Sequence, residues 1–167
     1  RKELPRTFEY PEKQERTVLK DALLKGKLYD TDVPPSEGVL YSEYKKSILD
    51  LVPEGGYWKH LPVEIQKQYM GKAYNGKGGS TGMARRTSME EPCFTLMCSP
   101  AQKLTERCHP KETRPFQIRE YARIQTFPDD WKFQGPLGAQ YRQVGNAVPV
   151  NLAYEIGKQI KATLEGN

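Results

Sequence analysis

The chain of 167 residues has a net charge of +5 and an apolar fraction of 37%. This length fits one to two small domains, and the apolar fraction is low for a globule that completes its own core. No stretch approaches the roughly 20 apolar residues that span a bilayer, and no secretory signal is visible, so we expect a cytoplasmic protein without a membrane anchor. The chain begins with Arg1, and we expect a fragment or a subunit whose start is not shown.

The first seventy residues predict three short helices between loops. Residues 1–38 have the composition of a connector, with one helix over residues 17–28 and a loop at Pro34-Pro35. Ser42 is placed to cap a second helix over residues 42–52, and a short amphipathic helix follows over residues 63–70.

The positive charge is concentrated in one window. Residues 57–89 hold six Lys or Arg against one Glu, a difference of five that equals the net charge of the chain. The window contains a glycine-rich loop whose polar side chains are suited to a DNA groove, because glycine permits close backbone approach and arginine can donate two hydrogen bonds to guanine. The predicted DNA-binding residues in this window are Lys77, Ser80, Thr81, Arg85 and Arg86. The loop lacks the order of a P-loop, since its lysine precedes the glycines.

Residues 93–99 predict a strand of mixed polarity, followed by a loop over residues 100–113. Thr95 in the strand and Lys103 in the loop are further candidates for DNA contact. The three cysteines, Cys93, Cys98 and Cys108, form no CxxC pair, so the pattern supports neither a disulfide framework nor a zinc site, and no metal is expected.

The sequence from Arg114 reads RPFQIREYARIQTFPDDWKF and predicts a helix over residues 117–125. Farther on, RQVGNAVPVNLA reads as a loop, a Gly145-Asn146 turn with cheap positive φ, and a helix start near Pro149. The last helix carries an apolar stripe with a spacing of four residues, formed by Leu152, Ile156, Ile160 and Leu164. We expect that stripe to pack onto a sheet.

These two segments resemble the ninth and tenth motifs of the DNA cytosine-5 methyltransferases, in the right order. Thr95-Leu96 is similar to a Thr-Leu pair in the family's recognition domain. The resemblance implies an α+β chain with a connector (1–38), a small target-recognition domain (39–113) and a helical segment (114–167). That segment would complete the α/β, Rossmann-like methyltransferase domain.

The family pattern also implies the ligands. It assigns cofactor contacts with S-adenosyl-L-methionine to Asn146 and Ala147, with Gly145 and Gln143 shaping the turn, and double-stranded DNA as the partner. Arg119, Glu120 and Arg123 are expected to organise the backbone between the two parts and to take no part in the chemistry.

The family's reactive groups are missing from this sequence. It contains no Pro-Cys-Gln nucleophile, Glu-Asn-Val, Arg-x-Arg or Phe-x-Gly-x-Gly segment, and Pro92-Cys93 is followed by Phe94 where the nucleophile triplet has Gln. We therefore assign no catalytic residue and expect this chain to transfer no methyl group without the N-terminal catalytic part. Two alternatives stay open: a natural subunit of a split methyltransferase, and a non-catalytic sequence-specific DNA-binding module.

Overall fold

The computed structural model describes residues 7–76, 78 and 80–166. The helices are α1 Leu19–Leu23, α2 Glu43–Leu49, α3 Val63–Met70, α4 Ile118–Ile124, α5 Leu137–Asn146 and α6 Val150–Glu165, with 3₁₀ turns at Trp58–His60, Gly71–Asn75 and Lys103–Thr105. Helices α1 and α5 pack against α4. None of the helices in the described ranges is long and apolar enough to cross a membrane.

Apolar side chains are buried in two clusters. The first cluster joins α2, α3 and the loops between residues 52 and 108. It comprises Tyr41, Ile48, Leu49, Val52, Trp58, Leu61, Tyr69, Met70, Met83, Ala84 and Cys108. The second cluster joins α1, α4 and α5 around Phe116, Tyr121 and Tyr141, and it also takes in Leu96. Leu96 therefore connects the middle of the chain to the C-terminal helices.

The predicted strand over residues 93–99 is wrong, and the β part of the α+β prediction is not confirmed. Over the described residues the only β pairing consists of isolated bridges, Arg86 with Cys108 and Cys108 with Pro115. The carbonyls of this segment are bound by side chains instead of a neighbouring strand. Arg107 Nε donates to Thr95 O at 3.2 Å, and the Tyr121 hydroxyl donates to Met97 O at 3.2 Å.

A buried carboxylate, that of Glu106, joins the elements around the first cluster. The carboxylate of Glu106 accepts from the Tyr69 hydroxyl at 3.0 Å and from the Ala84 amide at 2.6 Å, and it pairs with Lys45 Nζ at 2.5 Å. Glu106 is fully buried, so these partners replace the water that it would otherwise need. In a chain region with few helices, such side-chain bonds hold the loops in place.

Helix α4 ends where the sequence predicted, with Gln125 as its C-cap. The Phe127 amide donates to Ala122 O and the Thr126 amide donates to Arg123 O, both at 2.9 Å, which is the Schellman pattern. Thr126 occupies the left-handed position with φ of +58°, where glycine is the usual residue.

Candidate cofactor and DNA site

The junction between α5 and α6, residues 144–149, is called the cofactor turn below. The sequence predicted a loop with positive φ at Gly145-Asn146 that opens the last helix, and this is wrong. Both residues lie in the last turn of α5, neither has positive φ, and Ala147 follows as the C-cap. Asn146 is exposed there, while Gly145 and Ala147 are half-buried.

Gly145 is required by a close backbone approach. A Cβ atom at this position would lie 2.8 Å from Cys98 N and 2.9 Å from Cys98 Cα. These distances are shorter than real Cβ contacts and involve backbone atoms, which cannot easily move away. Glycine therefore lets the chain at Met97-Cys98 lie directly against the end of α5.

Residues at the end of α4 hold the cofactor turn on both sides. Gln125 Nε2 donates to Val144 O and to Ala147 O, each at 3.2 Å, and Gln125 O accepts from the Val150 amide at 3.0 Å. Thr126 Oγ1 accepts from the Asn151 amide at 2.9 Å and so caps α6. The ninth-motif segment thus fixes the backbone of the tenth-motif segment, a role that the sequence reasoning missed although Gln125 stands in the quoted motif.

The side chain of Asn146 has a defined neighbour. Cys98 Sγ donates to Asn146 Oδ1 at 3.0 Å. Gln143, which the sequence predicted to shape the turn, is engaged elsewhere, since its Nε2 donates to Gln134 O at 2.7 Å.

A cleft lies beside the end of α4. It has a volume of about 620 Å³ and is lined by Leu28, Tyr29, Asp30, Thr31, Thr126, Pro128, Asp129, Val150 and Asn151. Gly145, Asn146 and Ala147 are not among these described lining residues. The cleft borders the cofactor turn through Val150 and Asn151, the first residues of α6.

The glycine-rich loop presents only part of the predicted DNA-binding set. Lys77 lies outside the described residues, Ser80 is half-buried with φ of +44°, and Thr81 is exposed. Arg85 is half-buried, with its guanidinium carbon 4.4 Å from the centre of the Phe94 ring and 5.5 Å from that of Tyr57. Its Nε is buried without a hydrogen-bond partner among the described residues.

Arg86 does not fit the DNA contact that was predicted for it. Its side chain is buried, and it donates to Val52 O, Leu49 O and His109 O at 2.7, 2.7 and 3.1 Å. A fourth bond reaches Thr113 Oγ1 at 2.7 Å. Because these bonds bind the guanidinium to the chain's own loops, we leave Arg86 out of the DNA-facing set.

Thr95 and Lys103 are both exposed, as a DNA contact requires. Lys103 is also held by the chain itself, since Nζ donates to Tyr69 O at 2.5 Å and lies 4.4 Å from the centre of the Tyr69 ring. The ring and the carbonyl fix the lysine stem and leave its charge at the surface.

The sequence reasoning missed Phe94 as a stacking partner of arginine side chains. Arg107 lies 5.1 Å from the centre of the Phe94 ring, on which Arg85 also stacks, so two guanidinium groups share one aromatic side chain. Burial and the charge of Arg85 lower the pKa of Arg107 against the opposing effects of Cys93 and Tyr121. Two neighbouring cations of this kind favour an anionic partner. The three residues Arg85, Phe94 and Arg107 are called the arginine platform below.

Cys93 is unsuited to be a nucleophile. Burial raises the pKa of its thiol to about 12, and the nearby Arg107 only partly opposes this. The thiolate, which is the reactive form, is therefore scarce near neutral pH.

The charged residues of the ninth-motif segment are engaged in ion pairs and backbone contacts. Arg114 forms bidentate pairs with Glu120 at 2.7 and 2.8 Å and with Glu112 at 2.9 and 3.0 Å. Arg123 is fully buried, pairs with Asp129 at 2.6 Å, and donates to Thr31 O at 2.8 Å.

Arg119 binds backbone carbonyls. Its guanidinium donates to Asp129 O at 3.0 Å and to Trp131 O at 2.8 Å. The contacts of Arg119 tie residues 129–131 to α4, and those of Arg123 tie residues 29–32 to it.

Comparison with known proteins identifies the family. The family model for C-5 cytosine-specific DNA methylases matches residues 1–162. The chain is 58% identical over 159 residues to the type II methyltransferase M.Eco47II of Escherichia coli, which covers 95% of the chain and 38% of that protein.

Two further relatives give the same result. The chain is 64% identical over 140 residues to M.PspPI of Psychrobacter sp. (strain TA137), covering 84% of the chain and 34% of the relative. It is 62% identical over 128 residues to M.Sau96I of Staphylococcus aureus, covering 77% and 30%. The chain thus spans about a third of the length of these type II methyltransferases. It belongs to the family of C-5 cytosine-specific DNA methylases.

Proposed function

We propose that this chain is the C-terminal portion of a type II DNA cytosine-5 methyltransferase of a restriction-modification system. The whole protein would transfer a methyl group from S-adenosyl-L-methionine to carbon 5 of cytosine in a specific DNA sequence. The observation that carries the proposal is the family match over residues 1–162, together with identities of 58–64% to type II methyltransferases. Since DNA is the substrate, the proposal places the protein in the cytoplasm.

The cofactor assignment rests on the cofactor turn. Asn146 is exposed at the end of α5, and Gln125 and Thr126 fix the backbone on both sides of it. We assign Asn146, Ala147 and Gly145 to one wall of the pocket, where the Asn146 amide would bind a polar group of S-adenosyl-L-methionine. The rest of the pocket would come from the part of the protein that precedes this chain.

The DNA assignment rests on the arginine platform and its surroundings. Arg85 and Arg107 place two positive charges on the exposed Phe94, and Thr81, Thr95 and Lys103 are exposed. Ser80 and Lys77 belong to the same loop, Lys77 from its sequence alone. Phosphate contacts would fix the position on the duplex, and arginine contacts to base edges would provide sequence preference.

The chemistry needs residues from the preceding part of the protein. The target cytosine must leave the duplex, and a cysteine thiolate must attack carbon 6 so that carbon 5 becomes nucleophilic. Cys93, with a pKa raised to about 12, does not meet that requirement. We therefore assign no catalytic residue to this chain, whose role is recognition and completion of the cofactor pocket.

The test compares the full-length protein with the isolated chain. Bisulfite sequencing of DNA from cells that express the full-length gene should show 5-methylcytosine at one recurrent sequence. The purified chain alone should transfer no radiolabel from S-adenosyl-L-methionine to the same DNA. Random methylation, or none, by the full-length protein contradicts the proposed function, and label transferred by the chain alone contradicts the division of roles.

The same experiment separates two other assignments. If the gene encodes only this chain and activity returns when a second subunit is added, the protein is a split methyltransferase. If the chain binds one DNA sequence and no upstream reading frame or partner contributes methyl transfer, it is a non-catalytic binding module, and the enzymatic proposal is wrong.

A further inference from the structure

Residues 95–98 connect the arginine platform to the cofactor turn. Arg107, which stacks on Phe94, donates its Nε to Thr95 O at 3.2 Å. At the other end, Cys98 contacts both residues of the Gly-Asn pair, through its backbone against Gly145 and through its thiol to Asn146 Oδ1 at 3.0 Å. Four residues thus span from a proposed DNA contact to a proposed cofactor contact.

The middle of this span is anchored. Leu96 is buried at 4% exposure in the cluster around Tyr121 and Val144, and the Tyr121 hydroxyl donates to Met97 O at 3.2 Å. Val144 is also one of the two residues whose carbonyl Gln125 binds. A shift of residues 95–98 therefore cannot leave the end of α5 unchanged, because the two are packed without space between them.

We propose that residues 95–98 position the Asn146 carboxamide for the cofactor and transmit DNA binding to the cofactor turn. In this role Cys98 is a positioning residue: its thiol fixes the Asn146 oxygen, so that the Asn146 amide N–H groups point to the cofactor. The inference rests on the proposed function, since it takes Asn146 as a cofactor contact and the arginine platform as a DNA contact. Neither the motif resemblance nor the family match assigns a role to Cys98.

The coupling is reciprocal. If DNA binding changes the affinity for the cofactor by some factor, the cofactor must change the affinity for DNA by the same factor. Disconnecting residues 95–98 from the cofactor turn should lower this factor towards one. Loss of stability alone would weaken the binding of both ligands, but each would still change the affinity for the other by the same factor.

The chain offers matched variants for both contacts. Cys98→Ala removes the donor to Asn146, while Cys98→Ser keeps a hydroxyl that can donate. Gly145→Ala inserts a methyl group 2.8 Å from Cys98 N, while Gly138→Ala adds the same group to the same helix with nothing within 4 Å. Cys93→Ala removes a thiol five residues away and serves as the thiol control.

The experiment is calorimetry of full-length proteins with S-adenosylhomocysteine, with and without a short duplex that contains the site mapped by bisulfite sequencing. We expect Cys98→Ala to weaken the binding of S-adenosylhomocysteine about twofold to tenfold, the range for one lost hydrogen bond. The affinity of the Cys98→Ser protein should remain within about twofold of wild type. Gly145→Ala should weaken the binding more, and the factor by which DNA changes the affinity should fall close to one. Gly138→Ala and Cys93→Ala should change neither quantity.

Asn146→Ala separates the failure of this inference from that of the proposed function. Asn146→Ala can weaken the binding of S-adenosylhomocysteine while the Cys98→Ala and Gly145→Ala proteins bind it like wild type. In that case the positioning role is wrong and the cofactor assignment stands. If Asn146→Ala itself has no effect, the cofactor assignment falls and the inference with it. If wild-type protein shows no change in S-adenosylhomocysteine affinity on adding DNA, the transmission role is wrong.

Discussion

Arg85 and Arg86 are neighbours in the chain, but their surroundings differ. Arg85 stacks on Phe94 at the surface, while Arg86 is buried and bound to three backbone carbonyls. We expect Arg85→Ala to leave the fold intact and weaken DNA binding by the full-length protein. A lost base contact would cost about 1–3 kcal/mol at the cognate site only. A lost phosphate contact would weaken binding to all DNA sequences alike. It would also lower, by about one, the slope of the logarithm of the binding constant against the logarithm of the salt concentration.

Arg86→Ala should act on stability, because buried carbonyls lose their donor. We expect a loss of at least about 2 kcal/mol in the free energy of unfolding. Lys161→Ala, which removes a charge from α6, is the control for both measurements. Duplex titrations across a salt series and urea unfolding make the distinction, and an Arg85→Ala protein that binds every duplex like wild type would exclude Arg85 from the DNA surface.

The Arg123–Asp129 pair gives a pH dependence with a definite sign. The hydrogen bond from Arg123 holds the pKa of Asp129 below its ordinary value of 3.8. A depressed folded-state pKa stabilises the protein at pH above the ordinary value, and this stabilisation is lost as pH falls through the folded pKa. We expect Asp129→Asn to cost about 1–3 kcal/mol at pH 7 and much less near pH 2.

Urea unfolding of the full-length protein at both pH values measures the difference. Asp130→Asn, at the exposed neighbouring position, should leave stability unchanged at either pH. An Asp129→Asn protein with the same deficit at pH 2 as at pH 7 would show that the carboxylate charge is not the source of the effect.

The sequence reasoning placed both arginines on the DNA-facing surface and did not predict that Arg86 turns inwards. Adjacent side chains on an extended chain point to opposite sides, and this much is local. The carbonyls that select Arg86 for the interior belong to residues 49, 52 and 109, distant in the chain. Cys98 is similar, because its contact with Asn146 spans 48 residues and leaves no local pattern.

At the scale of elements, the α4 end and the cofactor turn form one unit through Gln125. Gln125→Glu replaces the two N–H donors to Val144 O and Ala147 O with a carboxylate that repels both carbonyls. We expect about tenfold weaker binding of S-adenosylhomocysteine to the full-length protein, since both carbonyls lose the donor that holds the turn. Gln140→Glu on α5 is the matched control, because Gln140 Nε2 donates to Gly135 O at the surface and not to the cofactor turn.

Calorimetry with each variant gives the comparison. Equal losses for Gln125→Glu and Gln140→Glu would point to a general effect of added charge and not to the cofactor turn.

Helices with local signals were predicted well. Ser42 caps α2 by accepting from the Lys45 amide at 3.3 Å, and the helix predicted over residues 63–70 is α3 Val63–Met70. The helix predicted over residues 117–125 has Gln117 and Gln125 as its caps. The strand over residues 93–99 failed because its carbonyls are bound by Arg107 and Tyr121, which no local pattern reveals. The predicted turn at Gly145-Asn146 is wrong, because Gly145 is needed for the close approach of the Cys98 backbone and does not adopt a positive φ.

For the whole molecule, the uncovered side of α6 is the main feature. Leu152, Ile160 and Leu164 of the predicted apolar stripe are 50%, 48% and 61% exposed, and the stripe was expected to pack onto a sheet. The low apolar fraction of the chain agrees with a core completed elsewhere. The preceding part of the protein is the proposed cover for this stripe.

This predicts that the protein can be assembled from two pieces. The upstream part and this chain, expressed as separate polypeptides in one cell, should restore DNA methylation. Leu152→Glu combined with Ile160→Glu in this chain should abolish that restoration, because buried unpaired carboxylates would be costly in the interface. Lys161→Glu, an exposed change on the same helix, should be tolerated.

Protection of DNA against a restriction enzyme that cuts at the mapped site provides the measurement. Full activity with the doubly substituted chain would mean that α6 does not form the interface.

The loops of the first cluster are secured from behind by Arg86 and Glu106, while Thr81, Thr95 and Phe94 face outwards. The side chains of these outward residues form none of the hydrogen bonds that hold Arg86 and Glu106. If they contact DNA as proposed, they can be exchanged while the buried frame is kept, and new target sequences can arise by point substitution. Relatives that methylate different DNA sequences should accordingly differ at the positions of Thr81, Phe94 and Thr95 and retain Arg86 and Glu106.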